Sequence, residues 1–163
     1  MKKHYPLAIG ALCALGITLY IALTLNSNQM SSPRPTASVD ARSTLSPEAY
    51  HVMYEQSTEV AFSSPLYTEQ RTGTYVTADT GLPVYRSEDK YDSGTGWPSF
   101  TKPIDGSVEL REDNTLFAKR TEVISKDTGA HLGHVFDDGP ADKGGKRYCM
   151  NGVALRFIPD EQQ

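Results

Sequence analysis

The chain has 163 residues, 38% hydrophobic and 22% charged, which is one domain's length. Sixteen Lys and Arg against twenty Asp and Glu leave a formal charge of −4, so the chain lacks the cationic surface that wraps phosphate backbones, and the expectation is no nucleic-acid partner. The two cysteines, Cys13 and Cys149, cannot build a disulfide scaffold or a four-cysteine zinc site, so one lone thiol is left in the body of the chain.

Lys2 and Lys3 close a short basic N-terminus, residues 1–5, ahead of an uncharged apolar run from Pro6 to Leu25. As a helix that run reaches across about 30 Å of hydrocarbon. It ends without a clean Ala-x-Ala exit, which favours an uncleaved anchor over a signal segment removed on export. Cys13 lies mid-run with too little apolar sequence before it for a lipoprotein signal, and reads as a small residue of the span. The positive-inside rule leaves the lysines in the cytoplasm and everything after Asn26 outside. The expectation is a membrane-anchored protein with an extracytoplasmic domain, periplasmic in a Gram-negative cell; secretion after cleavage is the alternative. Residues 26–44, rich in Ser, Thr, Pro and Asn, read as a flexible linker, 45–159 as the folded domain, and 160–163 as a tail.

Ser46, Pro47 and Glu48 make a helix start, and the helix is expected to run to about Gln56. Strand-like runs follow: Gly73 to Ala78, Leu82 to Arg86, Ser107 to Leu110, Thr115 to Lys119, Glu122 to Ser125, His131 to Phe136 and Val153 to Ile158. This pattern predicts a mainly antiparallel β domain. Two segments echo each other, Thr77 to Gly81 and Ser125 to Gly129, both ending Asp-Thr-Gly, and read as a pair of matching turns. Glycine-rich loops at 92–100, 137–140 and 143–147 are the candidate carriers of a site.

Cys149 follows Arg147, a cation two residues away that favours the thiolate. Taken alone, a strand cysteine is more often a small buried hydrophobe. The pair His131 and His134 weighs against that reading. Residues three apart on a regular strand face opposite sides, so the two imidazoles meet at one site only if Gly133 bends the chain. Trp97, the single tryptophan, sits among Gly94, Gly96 and Pro98, either as a pocket wall or as a packing anchor.

The segments 45–50, 73–75, 90–100, 120–123, 131–136, 138–140 and 147–151, in this order, resemble the methionine-R-sulfoxide reductase (MsrB) family over about residues 45–159. The resemblance implies two antiparallel sheets with short N-terminal helices. It further implies reduction of the R epimer of methionine sulfoxide, free or in oxidised proteins. The roles it implies are Cys149 as nucleophile, His134 as general acid with His131 supporting it or holding the oxygen, and Trp97 packed on the substrate S-methyl group. Phe136 joins Trp97 in binding, while Asn151 and Arg147 orient or polarise the site. Cys149 would end as a sulfenic acid, the first rung of thiol oxidation.

Two departures stand out. Many members of the family hold zinc through two Cys-x-x-Cys pairs; the matching positions here are Thr77, Thr80, Ser125 and Thr128, poor ligands for Zn²⁺. A zinc-free form follows as the expectation. Where some relatives carry a resolving cysteine this chain has Thr95, so an external reductant, a thioredoxin-like protein or a small thiol, is expected, with no bound cofactor and a monomeric chain. Three other readings compete: an aspartic protease built on Asp79 and Asp127, a mononuclear metal enzyme using His131 and His134 with Cys149 or Asp137, and a non-catalytic binder of oxidised methionine.

Overall fold

Ser46 caps the first helix, α1 (Pro47–Glu55): its hydroxyl accepts the Ala49 N–H at 3.1 Å, and Pro47 takes the first helical position, where no N–H is needed. Gln56 ends the helix in the left-handed region at φ 57°. The computed structural model describes residues 43–114 and 119–161. The expected basic terminus, apolar span 6–25 and nearly all of the linker lie outside the described residues. Among the described residues no helix is long and apolar enough to cross a membrane. Where several N-terminal helices were expected, the described residues hold one α-helix and single 3-10 turns such as Pro65–Tyr67.

Among the described residues nine strands form two antiparallel sheets. β1 (Gly73–Thr77), β2 (Pro83–Arg86) and β9 (Leu155–Pro159) make a three-stranded sheet in the order β2-β1-β9. The other sheet contains β3 (Lys90–Tyr91), β4 (Ser99–Phe100), β5 (Val108–Asp113), β6 (Arg120–Ser125), β7 (His131–Phe136) and β8 (Arg147–Met150), in the order β3-β4-β8-β7-β6-β5. The expected strand at Thr115 to Lys119 falls mainly on residues 115–118, outside the described residues. Strands β3, β4 and β8 escape the sequence reading. Two-residue strands have no period to detect, and β8, which carries Cys149, was not among the expected runs.

One core joins the two sheets and α1. Val52, Met53 and Tyr54 from the helix meet Tyr75, Tyr85, Phe100, Leu132 and Met150. The Tyr85 and Phe100 rings stack at 4.2 Å, Tyr75 meets Phe100 edge-on at 4.9 Å, and the Tyr85 hydroxyl donates to the Met150 sulfur at 3.1 Å. Each such side chain contributes about 1.5–3 kcal/mol by leaving water. Met150 is therefore anchored under the sheet, which sets the height of its neighbour Cys149.

The two echoed turns do pack together, as reciprocal hydrogen-bonded partners. Gly81 and Gly129 adopt φ 78° and 67°, and their N–H groups donate to the carbonyls of Thr77 and Ser125 four residues back. Across the gap the Thr80 hydroxyl donates to Asp127 at 2.6 Å, and the Thr128 hydroxyl to Asp79 at 3.1 Å. Ser125 also donates to Asp127, the Thr77 and Thr80 hydroxyls lie 3.0 Å apart, and Tyr54 on α1 donates to Asp79 at 2.7 Å. Each turn thus lends its aspartate to the other. Burial pushes the Asp127 carboxyl up, but the Ser125 and Thr80 hydroxyls outweigh it and hold the group below its ordinary value. The four positions that match the family's zinc-binding cysteines offer neutral hydroxyls engaged in this clasp, a donor set that does not fit Zn²⁺.

Candidate active site

Strand register builds the site. In antiparallel sheets, directly opposed residues share a face. Tyr91 on β3 opposes Ser99 on β4, Ser99 opposes Cys149 on β8, and Cys149 opposes His134 on β7. His134 in turn opposes Glu122 on β6, which opposes Arg111 on β5. One continuous polar row therefore crosses all six strands, with the thiol and the imidazole side by side at its centre.

His131 reaches the same face through a β-bulge. Val123 pairs with Gly133 and Ile124 with His131, leaving Leu132 as the extra residue of β7, buried in the core. The imidazole rings come within 5.2 Å. The bend expected at Gly133 is thus a bulge at Leu132. Gly133 has a different task, since a Cβ there would lie 2.1 Å from the Cys149 carbonyl oxygen.

Each imidazole is backed by an ion-paired carboxylate. His131 Nδ1 lies 2.8 Å from Glu122 Oε1, and Arg111 donates to Glu122 Oε2 at 3.0 Å. His134 Nε2 lies 2.8 Å from Asp113 Oδ2, to which Arg120 donates at 2.6 Å. Although burial pushes Glu122 up, its bonds to His131 and Arg111 hold it below the ordinary carboxylate value. Burial lowers His134, outweighing the opposite pull of Asp113, so the ring is neutral near pH 7. None of these four partners was singled out from sequence; only strand register identifies them.

Cys149 is half-buried. Burial pushes its thiol up, against the opposing effects of Thr95, Arg147 and Ser99. Arg147 does favour the thiolate, as its place two residues away suggests, but burial outweighs it and holds the thiol above its ordinary value. Arg147 is held by two bonds to Asp138 at 2.8 and 2.9 Å and lies over the Phe136 ring at 4.5 Å. The Thr95 hydroxyl lies 3.9 Å from the Cys149 sulfur, in a chain of hydroxyls linking it to Ser93 at 2.8 Å and Ser93 to Ser99 at 2.7 Å.

A cavity of about 140 Å³ opens above this row, lined by Thr58, Trp97, His134, Phe136, Cys149 and Asn151. Trp97 is therefore a pocket wall. Its indole Nε1 donates to the Glu59 carbonyl at 3.2 Å. His131 stands behind His134 rather than on the wall, and Arg147 reaches the site through Cys149 and Phe136. Asn151 makes its polar contacts with backbone: Oδ1 accepts from Glu59 N at 3.1 Å and Nδ2 donates to Leu132 O at 3.1 Å.

The residue that ties these parts together is Glu59, which the sequence reading passed over. Only 3% exposed, it accepts the Gly152 and Val153 N–H groups at 2.6 and 2.8 Å. Burial raises its carboxyl above the ordinary value, against those two bonds. One residue thereby touches Trp97, Asn151 and the chain just beyond Cys149. A larger cavity, about 340 Å³, between Glu69, Arg71 and Lys90 is lined by neither thiol nor imidazole.

Two of the competing readings, the aspartic protease and the mononuclear metal enzyme, lose their footing on geometry. Asp79 and Asp127 bind each other's turn rather than sharing a proton, and both histidines are bonded to carboxylates. Among the described residues no group of three or more His, Cys, Asp or Glu is placed to hold a metal ion. A family model, the SelR domain, matches residues 45–159.

Proposed function

The chain belongs to the SelR-domain family, the peptide-methionine (R)-S-oxide reductases, and on that premise we propose that Cys149 is the sulfur that takes oxygen from methionine-R-sulfoxide. The observation that carries this reading is the pairing of Cys149 against His134 on the floor of a small cavity walled by Trp97 and Phe136.

The chemistry follows from protonation states. A neutral His134 that donates its Nε2–H to Asp113 keeps its lone pair on Nδ1. That nitrogen takes the Cys149 proton, creating a thiolate beside an imidazolium. The thiolate attacks the sulfoxide sulfur, the imidazolium returns the proton to the oxygen, and the substrate sulfur–oxygen bond breaks as oxygen passes to Cys149. A thiol and a sulfoxide become a sulfenic acid and a thioether, and the transferred proton is the thiol's own. Glu122 binds His131 at Nδ1 and so orients that ring beside the His134 ring. Trp97 and Phe136 enclose the S-methyl group and keep water off the reacting sulfur.

Enzymes of this family draw on thiol reductants. Here the first external thiol condenses with the sulfenic acid, releasing water and leaving a mixed disulfide. A second thiol restores Cys149, consistent with a thioredoxin-like protein or a small thiol as the donor. We further propose that the domain works as a monomer without zinc in an extracytoplasmic space, held there by residues 6–25, and repairs oxidised proteins. A reporter fused after Gln163 that proves cytoplasmic would overturn the placement. The reaction itself is tested by offering both epimers with dithiothreitol. Reduction of the R epimer alone, lost in Cys149→Ser, is expected; reduction of S alone, or of neither, would sink the reading.

A further inference from the structure

Val60 and Phe62 are 73% and 63% exposed, the two most exposed large apolar side chains among the described residues. The other two, Leu110 and Ile158, lie on the edge strands β5 and β9. Val60 and Phe62 belong to no strand or helix, yet their backbone is tightly held. Ser63 donates to the Val60 carbonyl from its N–H at 3.2 Å and from its hydroxyl at 2.6 Å. The Phe62 N–H donates to Gly96 O at 2.8 Å, and Phe62 adopts φ 65°, a conformation that side-chain-bearing residues avoid. Its ring meets Tyr67 edge-on at 5.2 Å and covers Gly96, leaving most of its surface in water.

This strained, apolar segment is continuous with the cavity. Thr58, two residues before Val60, lines it; Glu59 between them receives the Trp97 indole; Gly96, bonded to Phe62, precedes Trp97. At about 140 Å³ the cavity is far smaller than the roughly 300 Å³ and above of sites that enclose a whole small molecule. It admits one side chain, so a polypeptide must lay the residues on either side of its oxidised methionine along the rim. From Val60 to Pro65 that rim carries no charge, and the acid that precedes it in the chain, Glu59, is buried.

We propose that Val60 and Phe62 form a docking strip for the polypeptide on either side of the oxidised methionine, selecting substrates whose flanking residues are apolar. The inference rests on the reductase reading above and adds to it which sulfoxides in a protein are reached first. Desolvation of two apolar side chains against a flanking Val or Phe supplies the preference, and free methionine sulfoxide, with nothing to lay on the strip, is indifferent to it.

The test uses the full chain, as wild type, Val60→Ser, Phe62→Ser and the double variant. Three R-sulfoxide substrates are compared: N-acetyl-methionine sulfoxide, a peptide with Gly on both sides, and a peptide with Val before and Phe after. The double variant is expected to raise KM about tenfold for the apolar peptide alone, with kcat unchanged. Fluorescence of Trp97, the single tryptophan, is expected to stay at its wild-type position. Unchanged KM for the apolar peptide would overturn the strip while leaving the reductase intact. Equal losses on all three substrates with shifted emission would also overturn it, showing that Phe62 only props Trp97. A dimer that the variants dissociate, without effect on peptide KM, would assign the strip to a second copy instead. Wild type that reduces none of the three substrates would overturn the reductase reading and the strip together.

Discussion

Cys149 is held as a thiol by burial and eased toward the thiolate by Thr95, Arg147 and Ser99. Its alkylation, followed at that site by mass spectrometry, is therefore expected to rise with pH to a midpoint above that of an ordinary thiol. Arg147→Ala should move the midpoint further up, because the thiolate loses its nearest cation. A downward move would mean that desolvation, and not charge, dominates the arginine's effect. Glu59 makes a separate prediction. Glu59→Gln keeps one carbonyl oxygen for the Gly152 and Val153 N–H groups, whereas Glu59→Ala leaves both unpaired at about 1–3 kcal/mol each. The Ala variant should shift Trp97 emission and lower kcat about tenfold or more, with Gln restoring most of both; equal loss in the two variants would refute a positioning role. At Thr95, whose hydroxyl is 3.9 Å from the sulfur, Thr95→Cys should convert the sulfenic acid into a 95–149 disulfide after one turnover, read as the disappearance of both thiols.

At the scale of elements, the bulge on β7 and the paired turns carry the argument. Gly133 sits where a methyl group would meet the Cys149 carbonyl at 2.1 Å, so Gly133→Ala must push β8 away from β7 and with it the thiol from His134. A loss of about 3 kcal/mol or more in denaturant unfolding is expected, together with lost activity. The clasp between the two Asp-Thr-Gly turns predicts a pH effect. The folded-state value of Asp127 is depressed, so its contribution to stability is present above the ordinary carboxylate range and disappears as pH falls through the lower folded value. Asp127→Asn should therefore lose about 1 kcal/mol near pH 7 and approach the wild type below about pH 4, seen as converging melting temperatures. A constant gap at all pH values would show that the charge plays no part.

For the whole molecule, the absence of Cys-x-x-Cys pairs and the hydroxyl clasp in their place predict that the purified chain carries far less than one equivalent of zinc. A chelator should leave its melting temperature unmoved. Near-stoichiometric zinc by atomic emission would contradict this. In an oxidising compartment four clustered thiols are prone to disulfide formation, a liability that hydroxyls at these positions do not carry.

The β character, the capped helix at Ser46 and the candidates Cys149, His131, His134 and Trp97, which the strands bring to one cavity or beside it, were legible in the chain. They rest on local signals: a capping hydroxyl before Pro47, alternating runs, glycine turns and rare residue types in a specific order. The supporting shell was not legible. Glu122, Asp113, Arg111 and Arg120 acquire their roles only from the register of β5, β6 and β7; Gly133 marked a bend, but register placed the extra residue at Leu132. Glu59 lies about ninety residues from the amides it binds, a distance along the chain that no motif encodes. Sequence alone determined that Cys149 is the one cysteine of residues 45–159 and that no second thiol stands near it in the chain. Tertiary structure decided its protonation, because that depends on how deeply the sheet buries Cys149 and on which charges the strands bring beside it. Burial and Coulomb interactions are set by distance in space, and the chain order does not contain that distance.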